Sequence, residues 1–226
     1  MGKKIIIFIL LSGVINYLSS QTNSFPSGEK EEFCKNQVFR KKSIYIVTRG
    51  TLSKRFVIAN EFNIADTNST HVGIGYKNKK TNTIINVTNA STAKQNALIL
   101  ESLKTFIEPD DVFYCSIFRI KVSKKEYKKF RNVLDGIKTM HITFDYKFNF
   151  NNPDTLYCSE LCYLILSGID SNILRTPYIR KKITNPFLKR AINEEYLNYV
   201  PVDFYYYINR KTELIVSKVF KRNAFL

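Results

Sequence analysis

Histidine is scarce in this chain: His71 and His141 are its only two. They stand far apart, and no cysteines follow a zinc-type spacing, so neither a metal site nor a cofactor is expected. Acidic residues are also few, 19 against 35 lysines and arginines, which leaves a formal net charge of +16. Such a balance suits anionic surfaces: nucleic acid, acidic glycans or phospholipid headgroups. Yet the basic residues are spread over 77–80, 124–129, 180–182 and 218–222, the pattern of a solvated surface. With no zinc-finger spacing and no RNA-binding aromatic motif, no specific nucleic-acid partner is expected, while an anionic cell-envelope surface stays compatible with the charge. Beyond the N-terminal segment no run is long and apolar enough to cross a membrane. Repeats and low-complexity linkers are missing too. With 44% hydrophobic residues over 226 positions, the chain can bury a proper core, and a single α+β domain is the simplest account.

The N-terminal segment has the layout of an export signal. "MGKK" is a basic start, "IIIFILLSGVI" an apolar run of 11 residues, and "NYLSSQT" supplies small polar residues around Ser19, Ser20 and Gln21. The expectation is a signal peptide over 1–21 and an exported domain over 22–226, in the periplasm or outside the cell. No cysteine follows the apolar run, so lipid attachment is not signalled. The four cysteines, Cys34, Cys115, Cys158 and Cys162, permit two disulfides in an oxidising compartment, and the sequence leaves their pairing open. Cys158 and Cys162 lie four apart on an expected helix, where side-chain directions disfavour a bridge.

Along the chain, 22–40 reads as a polar lead-in. "SIYIVTRG" (43–50) alternates like a strand running into a turn. A short helix is expected over 54–63. "THVGIGY" (70–76) and "TIINVTNAS" (83–91) read as a hairpin whose turn centres on Asn78 and Lys79. A short strand or irregular segment falls in 96–107, and 111–120 is a strong β run. Ser123 and Glu126 form a capping-box pattern before a helix over 124–139. A linker rich in Phe, Asn and Asp leads to a helix from 158 to 168, with Asp154 and Thr155 as candidate caps. Toward the end, a helix near 186–198 and a strand in "DFYYYINR" or "TELIVSKVF" are expected.

Cys158 is the residue that raises a chemical question. On its own, a cysteine at the end of the apolar stripe formed by Leu161, Cys162, Ile165 and Leu166 reads as core. A helix N-terminus and a neighbouring imidazole are the two devices that turn such a thiol into a nucleophile. His71 could supply the second. Its same-face neighbours are Gly73 and Gly75, whose missing side chains leave space for a helix end or a substrate. The expected turn places Asn86 opposite His71, where its amide oxygen can accept the ring N–H and fix the tautomer. Asn86 also lies in an N-x-S/T sequon, as do Asn68 and Asn89, and a glycan on Asn86 would conflict with that role.

"STHVGIGY", "TIINVTNAS" and "LYCSELCYLIL", in that order, resemble the permuted NlpC-type papain-like amidases and cysteine peptidases of the YaeF/YiiX type. The likeness covers about residues 40 to 170, and its Y-C-S-E-L element is the specific part. It implies an α+β, circularly permuted papain-like fold, in which the helix bearing Cys158 packs on an antiparallel sheet bearing His71. It implies Cys158 as nucleophile, His71 as general base and then acid, and Asn86 as orienter. Two departures stand out: the orienting position is often Glu and here is Asn86, and Cys162 replaces an aliphatic residue. Around this trio, Tyr157 is expected to wall the pocket, Ser159 to bind substrate or help form an oxyanion hole, and Asp145 to recognise an ammonium group or cap a turn. Glu160 and His141 read as structural.

The expected activity is hydrolysis of an amide bond in a cell-wall peptide or small peptide-like substrate. A second reading is lipid-directed acyl transfer or hydrolysis, since the lecithin retinol acyltransferase family is similar in its His-then-Cys order. A third is an inactive module held to anionic surfaces by charge.

Overall fold

The computed structural model describes residues 27–52, 61–88, 96–150, 155–174, 178–209 and 212–220. The expected export signal, most of the helix expected over 54–63 and the candidate cap Asp154 lie outside the described residues.

The β-branched and aromatic runs pair into a six-stranded antiparallel sheet. Its strands are β1 (Ile44–Thr51), β2 (His71–Asn78), β3 (Thr81–Val87), β4 (Leu98–Ser102), β5 (Val112–Ile120) and β10 (Thr212–Val219). They run in the order β10-β5-β1-β2-β3-β4. Every residue of β1 is buried, as a central strand covered on both faces must be. On one face Ile44, Ile46, Val72, Ile74 and Ile85 meet the apolar stripe of helix α4 (Cys158–Ser167), namely Leu161, Cys162, Ile165 and Leu166. Helix α3 (Lys124–Ile137) joins that layer through Phe130 and Leu134, and the Ser123–Glu126 capping box is formed. On the other face Tyr45, Val47, Ile84 and Ile117 pack with Leu103, Phe106 and Ile107 of helix α2 (Leu103–Ile107) and with Phe33 of helix α1 (Ser27–Asn36). The arrangement is α+β, with the helix bearing Cys158 packed on the antiparallel sheet bearing His71. All four cysteines are thiols.

Several local expectations are corrected. The lead-in contains α1, whose burial rests on Phe33 alone among strong hydrophobes, too thin a stripe for periodicity to register. The hairpin closes on the Asn78–Thr81 pair, so its loop is Lys79–Lys80, with Lys79 at φ 51°. That moves Asn86 opposite Gly73 rather than opposite His71. A two-residue slip keeps every side chain on its face, so Asn86 still shares a face with His71. The helix expected over 186–198 stops early: α5 is Pro186–Ile192, ended by Asn193 at φ 60° in the left-handed conformation. The rest forms β9 (Tyr196–Tyr199), paired with β8 (Ile179–Lys182). A 3-10 turn, Phe204–Tyr207, occupies "DFYYYINR", and β10 occupies "TELIVSKVF". Short strands β6 (Thr143–Phe144) and β7 (Thr155–Leu156) bracket the segment before α4, so Thr155 pairs in a strand and Tyr157 takes the cap position.

Candidate active site

Helix α4 begins at Cys158 with no side chain capping its first turn. The N–H groups there keep their partial positive charge. Backbone N–H groups of Val72, Ser159 and Cys158 itself converge on the Cys158 sulfur. Burial pushes the Cys158 thiol above its ordinary range, and these N–H groups, with the charge of Arg49, pull it part of the way back. The residues on either side of Cys158 grip one residue of another segment. Val200 N–H donates to Tyr157 Oη at 2.6 Å, and Ser159 Oγ donates to the Val200 carbonyl at 2.6 Å. Cys158 is thereby held between two anchored neighbours at the start of a rigid helix.

His71 is the first residue of β2. Its ring lies over Phe106, with centroids 5.6 Å apart, and Arg49 is its cross-strand partner on β1. His71 Nε2 and Asn86 Oδ1 are 3.0 Å apart, and Asn86 is fully buried. The glycine beside His71 does not leave room for a helix end. A Cβ on Gly73 would stand 2.6 Å from Ile84 Cγ2, 2.9 Å from the Ile85 carbonyl and 3.1 Å from Asn86 Cβ. Gly73 instead lets β3 come close enough for Asn86 to reach the imidazole diagonally. Gly75 likewise admits the ring of Phe39, 2.7 Å from where its Cβ would be.

His71, Tyr157, Cys158 and Ser159 border one cleft of about 300 Å³. Its far walls are Phe62, the aromatic series Phe144, Tyr146 and Phe148, and the segment from Leu197 to Val202. No Lys, Arg, Asp or Glu lines it among the described residues. Asp145 therefore does not face the cleft. It is buried, and its carboxylate accepts the N–H groups of Lys147 at 2.7 Å and Asn149 at 2.9 Å. Asp145 is the turn cap that folds "TFDYKF" so that its aromatic residues reach the cleft. Glu160 is buried away from the cleft, and His141 is exposed outside it. The alternation of aromatic and polar residues over 144–148 was the one local signal for this wall. Phe62, Leu197 and Tyr199 gave none, because they arrive from segments distant in sequence.

A buried thiol at a helix N-terminus, an imidazole on a strand of the sheet and an amide behind it stand together on an α+β domain whose antiparallel sheet carries helices on both faces. No family model and no curated protein matches the chain. Among solved structures, the metalloprotein YiiX from Escherichia coli O157:H7 shares the fold, with a TM-score of 0.52 and 14% identity over 80% of this chain and 99% of that one. At that identity the likeness carries the fold alone. YiiX is described as a metalloprotein; here, among the described residues, no group of three His, Cys, Asp or Glu side chains is placed to hold a metal ion. Among the described residues lining the cleft, His71 and Cys158 are the only His, Cys, Asp or Glu side chains.

Proposed function

We propose that the protein is a cysteine hydrolase that cleaves an acyl bond, of amide or related type, with Cys158 as nucleophile and His71 as base. Asn86 holds the ring through Nε2, which assigns proton exchange with the thiol to Nδ1. His71 takes the thiol proton as sulfur attacks the carbonyl, and an acyl-enzyme forms. No side chain caps the first turn of α4, and in this reading its N–H groups turn from the sulfur to the oxyanion as the carbonyl is attacked. His71 then gives its proton to the leaving group, and water releases the acid. The observation that carries this reading is the meeting of His71 and Cys158 on one cleft.

The cleft walls favour an apolar group beside the scissile carbonyl. A substrate charged at that position would lose hydration and find no countercharge among the aromatic and aliphatic walls. This supports the lipid-like side of the two substrate readings over a cell-wall peptide with a charged flank. The test is a series of acyl nitrophenyl esters and anilides of increasing chain length beside a charged peptide amide. Turnover should rise with chain length and disappear in Cys158→Ala and His71→Ala. Turnover surviving in Cys158→Ala would sink the assignment, and preference for the charged peptide would return the substrate to the cell wall.

A further inference from the structure

A carboxylate stands behind the amide that touches His71. Asn86 Nδ2 donates to Glu101 Oε1 at 2.8 Å, while Asn86 Oδ1 stands 3.0 Å from His71 Nε2. Glu101 lies on β4 opposite Ile84, two residues along from the Asn86–Ile99 pair, so it faces the same side of the sheet as Asn86. We propose that Glu101 is a positioning residue of this site: it fixes which way the Asn86 amide points, and through it which ring nitrogen of His71 carries the proton. The inference rests on the reading of His71 as base.

The argument follows from donor and acceptor inventories. An ionised carboxylate only accepts, so the atom of Asn86 facing Glu101 must be the amide nitrogen. The amide oxygen is then committed to His71. A carbonyl oxygen only accepts, so His71 Nε2 must be the protonated nitrogen and Nδ1 the basic one. Among the described residues, Glu101 is the acceptor that holds the amide nitrogen away from the ring. A half-turn of the amide would present Nδ2 to His71, favour the tautomer with its proton on Nδ1, and remove the base from the thiol. Asn86 is fully buried, so water does not compete to set its orientation. Glu101 also supplies, one residue removed, the negative charge that an amide orienter lacks, and this favours the imidazolium as it forms.

The chain has only two histidines, which makes the tautomer directly readable by nitrogen NMR of protein labelled at His71 and His141. The wild type should show His71 protonated on Nε2. Glu101→Gln, which still offers an oxygen to Asn86 Nδ2, should keep that state. Glu101→Ala should move His71 toward the Nδ1-protonated form, with the His141 signals unchanged as a control for folding. Glu101→Met, of similar length, gives the same reading should the alanine variant not fold. An unchanged His71 tautomer in the variants lacking the acceptor would overturn the proposal. In turnover, the alanine variant should lose about 10- to 100-fold in kcat with KM nearly constant, and the glutamine variant less. Because the tautomer is read without substrate, its outcome stands apart from that of the Cys158 tests.

Discussion

Cys158 is surrounded by opposing influences. Burial raises its pKa, and three backbone N–H groups and Arg49 counter that without overcoming it. The thiolate is the reactive form, so a raised pKa leaves less of it at neutral pH than an exposed thiol has, and the role proposed for His71 is to take up that proton. Alkylation of Cys158 by iodoacetamide, followed by mass spectrometry, should accelerate with rising pH along a limb on the alkaline side of the ordinary thiol value of about 8.5. A plateau already reached in the acid range would contradict this. Gly73 is the other residue whose identity is dictated by its neighbours. Gly73→Ala drives a methyl group against Ile84 and the Ile85 carbonyl, and should cost about 1 to 3 kcal/mol in denaturant unfolding. It should also lengthen the reach from Asn86 to His71. The contact of Asn86 with His71, and the place of His71 and Cys158 on one cleft, could be anticipated because each of the three residues sat in a short motif. The face shared by His71 and Asn86 followed from period-2 alternation even though the turn was placed one residue early. Glu101 was not legible, since "LILES" gives no sign of which strand it will border.

At the scale of elements, strong periodicity was enough. The runs that became β1, β2, β3 and β5, and the helices α3 and α4, could be read because one residue pattern dominates each. The capping box of α3 was legible from Ser123 and Glu126 alone, and Ser123→Ala should destabilise the protein by about 1 kcal/mol, measured by thermal or denaturant unfolding. The C-terminal third was harder, because its elements are short and exist through partners elsewhere. Asp203 shows why. It is fully buried, and its Oδ2 accepts the N–H groups of Ile64 and Ala65 at 2.8 Å and of Asp66 at 2.9 Å. The 3-10 turn that follows Asp203 is thereby tied to the loop leading into His71. Burial pushes the Asp203 carboxyl above its usual range, and the backbone N–H groups lower it only in part. A raised pKa in the folded state means that protonation favours folding; the benefit is complete below the unfolded value and fades as pH rises through the folded one. Asp203→Asn keeps an accepting oxygen and does not ionise. The unfolding free energy of the wild type should therefore fall relative to this variant as pH is raised from the ordinary carboxylate value upward. A difference that is flat with pH would show that Asp203 does not titrate on folding.

At the scale of the whole molecule, no charged side chain among the described residues lines the cleft, and a basic cluster stands elsewhere. Lys41, Lys42, Lys77, Lys79 and Arg131 surround a groove at the tip of the β2–β3 hairpin, with no carboxylate among its described lining residues. At 3.3 Å per residue, β2 places this groove about 23 Å from His71. Binding to polyanionic beads should weaken steeply with salt, and Lys41→Glu with Lys77→Glu should lower the eluting salt concentration while leaving turnover in the cleft unchanged. Retention that does not respond to these substitutions would move the contact elsewhere on the surface.

The cleft is bordered by Phe62 and by Val202 and by stretches between them, so its walls are complete only once the chain has been made through Val202 and has folded back. Fragments ending before Val200 should accordingly show no Cys158-dependent chemistry, however well their sheet is formed.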